Sequence, residues 1–143
     1  MRVILAIFFM LFTLEADVVL AEPKPSMDNP REVVMGISKG DSEAIHHVLS
    51  TANNILKFYG PENVHMRIVA YYHGIEALLA KNKDIAVRVD ALQQYDVEFV
   101  ACGNTMVTKN ISSDELIDGV EIVSAGIAEV IERASEGAFY IEP

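Results

Sequence analysis

Five short runs of β-favouring residues, separated by segments with helical spacing, constrain this chain more than anything else in it. The runs are EVVMGIS (32–38), VHMRIVAYY (64–72), VEFVA (97–101), VEIVSAG (120–126) and AFYIE (138–142). Most are apolar on both faces, which suits strands of a parallel sheet covered on each side. After the first run, Asp41 or Ser42 can cap a helix. Ala44, Ile45, Val48, Leu49, Ala52, Ile55 and Leu56 then recur at three-four spacing until Gly60-Pro61 ends the pattern. IEALLA (75–80) reads as a short helix, and Asp84 can cap another through Ile85, Val89 and Leu92. GNTMVTKNI reads as a turn or short helix, and residues 114–117 as a turn. A last helix is expected to bury Ile127, Val130, Ile131 and Ala134, with Gly137 closing it. The pattern predicts an α/β fold: a single three-layer domain with a mostly parallel sheet of about five strands and right-handed crossovers.

A chain of 143 residues suits one domain. Its 21 acidic and 11 basic residues give a net charge of −10 and argue against nucleic-acid binding, which needs a basic surface. Residues 1–21 resemble a secretory signal peptide: Arg2, an apolar stretch, then Val19 and Ala21 ahead of a cut before Glu22. An uncleaved anchor and an ordinary folded segment are the other readings. Glu15 and Asp17 make a poor membrane span, so no integral span is expected in the mature protein. Residues 22–30 read as a flexible lead-in and 31–143 as the domain. A signal places the protein in the periplasm or outside the cell; without one it is cytoplasmic.

In parallel sheets, ligands sit beyond the carboxyl ends of the strands. Three such ends carry polar chemistry here: Ser38-Lys39-Gly40-Asp41, His73-Gly74 and Cys102-Gly103-Asn104-Thr105. A fourth, Ser124-Ala125-Gly126, permits close approach. Cys102 is the only cysteine and cannot form an intrachain disulfide. If a helix opens at Gly103, its N–H groups favour the thiolate, which could attack a disulfide or accept sulfane sulfur. A buried, inert core thiol is the competing reading. His73 is a candidate partner or a helix cap, with Gly74 allowing close backbone approach. Asn104 and Thr105 could donate to a sulfur or merely cap the turn. Lys39, Gly40 and Asp41 could hold an anion, although GISKGD matches no phosphate loop. His46, His47 and His65 read as surface residues, and no His/Cys/carboxylate cluster suggests a metal. Tyr71, Tyr72 and Phe99 read as core or subunit-contact residues.

VVMGISKGD, VAYYHG, ALQQYDVEFVACGNT and GVEIVSAGIAEVIERASEGAFYIEP together resemble the DsrE/DsrF-like family over residues 31–143. The resemblance implies a sheet of about five strands and a homotrimer or homohexamer. In the sulfur-carrying members a strand-end cysteine holds persulfide sulfur and passes it on, and Cys102 matches that position. His73-Gly74 matches the family's histidine-glycine pair, and Asn104 and Thr105 belong to its CGNT variant. The implied function is a persulfide carrier or sulfurtransferase-like protein with thiol-bearing donor and acceptor partners and no cofactor. Cys102, His73 and Asn104 are the expected catalytic residues. Lys39, Gly40, Asp41, Gly74, Gly103 and Thr105 are the expected substrate loops. The alternative is a non-enzymatic oligomeric module that binds a small ligand. A hydrolase or metalloenzyme is a more remote third reading.

Overall fold

A computed structural model describes residues 17–143. Residues 1–16, most of the stretch resembling an export signal, lie outside the described part. Five parallel strands form one sheet: β1 (Arg31–Ile37), β2 (Val64–Ala70), β3 (Glu98–Cys102), β4 (Glu121–Val123) and β5 (Phe139–Ile141). Their spatial order is β4-β3-β2-β1-β5. Four helices connect them: α1 (Ser42–Tyr59), α2 (Lys83–Gln93), α3 (Gly103–Lys109) and α4 (Gly126–Ser135).

The order explains the layers. From β1 to β4 the chain steps along the sheet in one direction, then returns past β1 to reach β5. Right-handed crossovers made in opposite directions put their helices on opposite faces. Thus α1 and α2 share one face, and α4 alone covers the other.

Local chemistry sets the element ends. Asp41 caps α1 by accepting the Ala44 N–H at 2.9 Å. Gly60, at φ 83°, stops that helix, and Pro61 prevents its return. IEALLA does not form an α-helix. The chain instead makes a tight 3-10 helix over Tyr72–Leu78, starting earlier than the apolar spacing suggests. Gly74 shows why: an added Cβ would lie 1.9 Å from the Ile37 carbonyl oxygen. Its N–H is shared between the Tyr71 and Ser38 carbonyls, at 2.9 and 3.1 Å. Backbone packed this closely fixes the turn before side-chain periodicity can act. Asn82, rather than Asp84, occupies the cap position of α2.

The main core lies between the sheet and α1, α2 and the 3-10 helix. Met35, Ile37, Ile45, Leu49, Ile68, Ile75, Leu78 and Phe99 are buried there. The opposite core is small: Val34, Val69, Val100 and Val130. Expected burial fails on α4. Val130 is buried, but Ile127 and Ile131 remain 51% and 56% exposed, and Ala134 is exposed too. The amphipathic pattern does form a helix, but a single chain supplies only part of the surface its apolar stripe requires.

Candidate functional site at the carboxyl ends of the strands

Register decides what Cys102 faces. In a parallel sheet, paired residues point to the same face and alternate residues point the same way. Arg67 pairs with Glu98 and Val69 with Val100. One step beyond, Tyr71 and Cys102 therefore stand beside each other on the face covered by α4. Cys102 pairs with Val123 on its other side. The sulfur thus ends a row on the thinly covered face, outside both apolar core clusters.

Cys102 is 6% exposed and immediately precedes α3. Burial alone would raise its pKa. Hydrogen bonding by the Thr105 hydroxyl and by the N–H groups of Gly126, Thr105 and Asn104 outweighs burial, and the thiol is held below its ordinary value. The Asn104 N–H also donates to the Ser124 carbonyl at 3.1 Å, joining the start of α3 to the end of β4. Space is tight at Gly126: an added Cβ would stand 3.0 Å from Cys102 Cβ and 3.2 Å from Val69 Cγ1. Absence of a side chain lets the α4 amide reach the sulfur.

Thr105 links this sulfur to the next strand end. Its hydroxyl oxygen accepts the Tyr72 N–H at 3.0 Å. Tyr72 has φ 53°, uncommon for a side-chain-bearing residue, and is 63% exposed. His73 turns elsewhere: Lys109 Nζ lies 3.3 Å from its Nδ1, and no hydrogen bond joins His73 to Cys102 among the described residues. Asn104 presents its amide, not its exposed carboxamide, to the sulfur. Gly103 is the first residue of α3. Lys39, Gly40 and Asp41 line a separate 530 Å³ cleft with Ser38, Tyr72 and His73.

A polar network absent from the sequence reading occupies the same face as Cys102. Glu142 accepts from Ser38 Oγ at 2.7 Å and from the Tyr140 hydroxyl at 2.8 Å. Donation by Ser38, then by Tyr140, holds Glu142 below the usual carboxylate range despite burial, with Lys39 adding to the effect. The Tyr140 phenol is pushed up by burial, then by Glu142 and Tyr71. Parallel pairing of β5 with β1, Val34 opposite Tyr140, brings residues 140–142 here. No sequence spacing signals that contact.

At the opposite end of this face, Arg67 is clamped by carboxylates. Its Nη2 lies 2.7 Å from Glu121, and Nη1 is bonded to Glu98. Its Nε lies 2.7 Å from Glu129 Oε1 but off the hydrogen-bonding direction, so that contact is an ion pair alone. These groups brace α4 against the sheet and lie far along the strands from Cys102. Among the described residues, no group of three or more His, Cys, Asp or Glu could hold a metal. Nor is any described helix long and apolar enough to cross a membrane.

A parallel sheet ordered β4-β3-β2-β1-β5, with one cysteine at a strand end, defines a small single-sheet α/β protein. The DsrE/DsrF-like family pattern matches residues 33–143, and the chain belongs to that family. It is similar to a protein of unknown function, MTH1491, from Methanobacterium thermoautotrophicum. The TM-score is 0.74 at 29% identity, covering 79% of this chain and 99% of that one. It also shares its fold with the ychN protein from E. coli, at TM-score 0.68 and 21% identity, over 79% of this chain and 99% of that one. A comparison with curated proteins finds no match.

Proposed function

We propose that this chain is a persulfide sulfur carrier and that Cys102 is the atom that carries. The observation that supports this most directly is position: Cys102 ends β3, immediately precedes α3 and lies against Gly126 at the start of α4, in a chain of the DsrE/DsrF-like family. An inert core cysteine sits among aliphatic carbon and has its pKa raised; this one is lowered. In the loading step, the Cys102 thiolate attacks the outer sulfur of a persulfide R–S–SH. The donor S–S bond breaks, R–S⁻ leaves with the electron pair, and Cys102 becomes Cys–S–SH. Unloading is the same exchange with an acceptor thiolate as nucleophile. Thr105 and the amides hold the thiolate and then the persulfide anion. His73 faces Lys109 and makes no hydrogen bond to the sulfur among the described residues, so it has no direct part in holding the thiolate.

The deciding experiment treats folded, reduced protein with inorganic polysulfide and weighs it intact. One added sulfur atom per chain is expected, and none on Cys102→Ser. Native protein that gains no sulfur overturns the proposal.

We also propose that the chain works as a homotrimer or homohexamer. Ile127 and Ile131 project from α4 one turn apart and both stay exposed in a single copy. A neighbouring copy would cover the thin layer and flank the Cys102 row. Residues 1–21 are proposed as an export signal, which the first residue of mature protein purified from its native source would test.

A further inference from the structure

Backbone conformation changes abruptly where β2 ends. Tyr71 is extended, at φ −142°, and Tyr72 is left-handed, at φ 53°. Glycine and asparagine enter that region readily, tyrosine seldom. Both flanks of Tyr72 are held. The Tyr71 N–H donates to the Ile37 carbonyl at 3.1 Å, carrying the β1–β2 ladder one step further. The Gly74 N–H donates back to the carbonyls of Tyr71 and Ser38. An added Cβ on Gly40 would stand 2.5 Å from the His73 carbonyl oxygen, so the 38–41 loop packs directly on the backbone of the turn. The peptide between Tyr71 and Tyr72 is bonded at both polar ends: its oxygen accepts from Gly74 at 2.9 Å, and its N–H donates to Thr105 Oγ1 at 3.0 Å. One residue on, Lys109 Nζ lies 3.3 Å from His73 Nδ1. Thr105 and Lys109 are four residues apart and share one side of α3, so the turn straps that side of a helix only seven residues long. Thr105 is the third residue of α3, the position whose side chain folds back toward the residue ahead of the helix, here Cys102.

Resting on the carrier reading, we propose that Tyr72 is a positioning residue of the Cys102 site and that it acts through its left-handed backbone rather than its ring. In that conformation its N–H engages the Thr105 hydroxyl oxygen and leaves the hydroxyl hydrogen for the sulfur. With both flanks held, a residue that resists positive φ must rotate the 71–72 peptide. Rotation withdraws the N–H from Thr105 and the oxygen from Gly74 together. The hydroxyl then turns freely, and the thiolate loses a fixed donor. The ring, its centroid 4.0 Å from that of His73, has no part in the contact.

The test is a set of side chains at position 72, read by the pH profile of Cys102 alkylation with iodoacetamide. Tyr72→Asn and Tyr72→Gly accept the left-handed backbone and should keep the wild-type profile. Tyr72→Val resists it, as β-branched residues do. Its profile should move to higher pH, with the rate at neutral pH down roughly threefold to tenfold. All three variants lack the ring, so the contrast isolates the backbone. Tyr72→Ala should fall between them, and it decides the matter if the valine variant does not fold. In Tyr72→Val/Thr105→Val the loss should equal that of Thr105→Val alone, since both changes remove one hydroxyl contact. Asparagine and glycine variants shifted as far as valine and alanine, a wild-type profile in both Tyr72→Val and Tyr72→Ala, or additive losses in the double variant would overturn the assignment. Sulfur gain from polysulfide is scored separately: wild type that gains none overturns the carrier reading, while the alkylation series still decides the role of Tyr72.

Discussion

The amide of Tyr72 donates to the hydroxyl oxygen of Thr105 at 3.0 Å, across 33 residues of sequence. That contact ties the end of β2 to the first turn after β3. It leaves the Thr105 hydrogen free to point at Cys102, whose sulfur counts this hydroxyl among its donors. A strained, exposed tyrosine thus fixes the rotamer of the side chain that steadies the thiolate.

Removing that hydroxyl should move the thiol upward. In Thr105→Val, the alkylation rate should reach its half-maximum at higher pH than in wild type, and fall roughly severalfold at neutral pH. Thr105→Ser should restore both. The pH profile of iodoacetamide reaction measures this, and superimposable profiles for Thr105→Val and wild type would remove Thr105 from the site.

The same depressed pKa links folding to pH. The folded thiol ionises at lower pH than the unfolded one, so its contribution to stability is present above the unfolded value. It is lost as pH falls through the folded value. Urea midpoints of wild type and Cys102→Ser should therefore diverge in favour of wild type on going from neutral to mildly alkaline pH.

Gly126→Ala should destabilise the fold by about 1–3 kcal/mol, since the new methyl meets Cys102 and Val69. It should also slow Cys102 alkylation by displacing an N–H from the sulfur. Gly74→Ala should be worse, because there the obstruction is a carbonyl oxygen rather than a side chain. Chemical denaturation orders the two.

Arg67→Met should cost about 1–3 kcal/mol, because Glu98, Glu121 and Glu129 are left facing one another. Glu98 and Glu121 are more than half exposed, so solvent screening reduces the loss and added salt should recover part of it. A salt-independent loss would mean that packing, not charge, holds this corner.

If copies associate through α4, Ile131→Glu should lower the assembly mass seen by light scattering without unfolding the chain. Charge placed on a side chain that a single copy leaves 56% exposed costs the monomer little. An unchanged assembly would place the interface elsewhere.

Much of this molecule was legible in one dimension. Five apolar runs and the intervening three-four spacing specify strands, helices and a parallel sheet, because both periodicities follow directly from backbone geometry. CGNT after VEFVA marked the strand end where chemistry would be sought, as did His73-Gly74 and Lys39-Gly40-Asp41. The turn at 72–78 starts three residues before Ile75, where side-chain spacing alone would begin it, since its conformation is set by a backbone contact between Gly74 and Ile37. Residue type marks Tyr72 only as a core or contact residue, although its N–H is the group that reaches Thr105. Lys109 and the Ser38–Glu142–Tyr140 chain carried no signal, because their partners are remote in sequence.

Residue order alone determined the layered fold, the strand-end position of Cys102 and the scarcity of cationic side chains, since these depend on local pattern and composition. Which groups surround the sulfur was decided only in three dimensions. Sheet register set Tyr71 beside Cys102, the return crossover to β5 brought α4 and the Gly126 amide over it, and the 3-10 turn after β2 set His73 beside Lys109. Side-chain periodicity names the face a residue occupies, but long-range pairing chooses its neighbours.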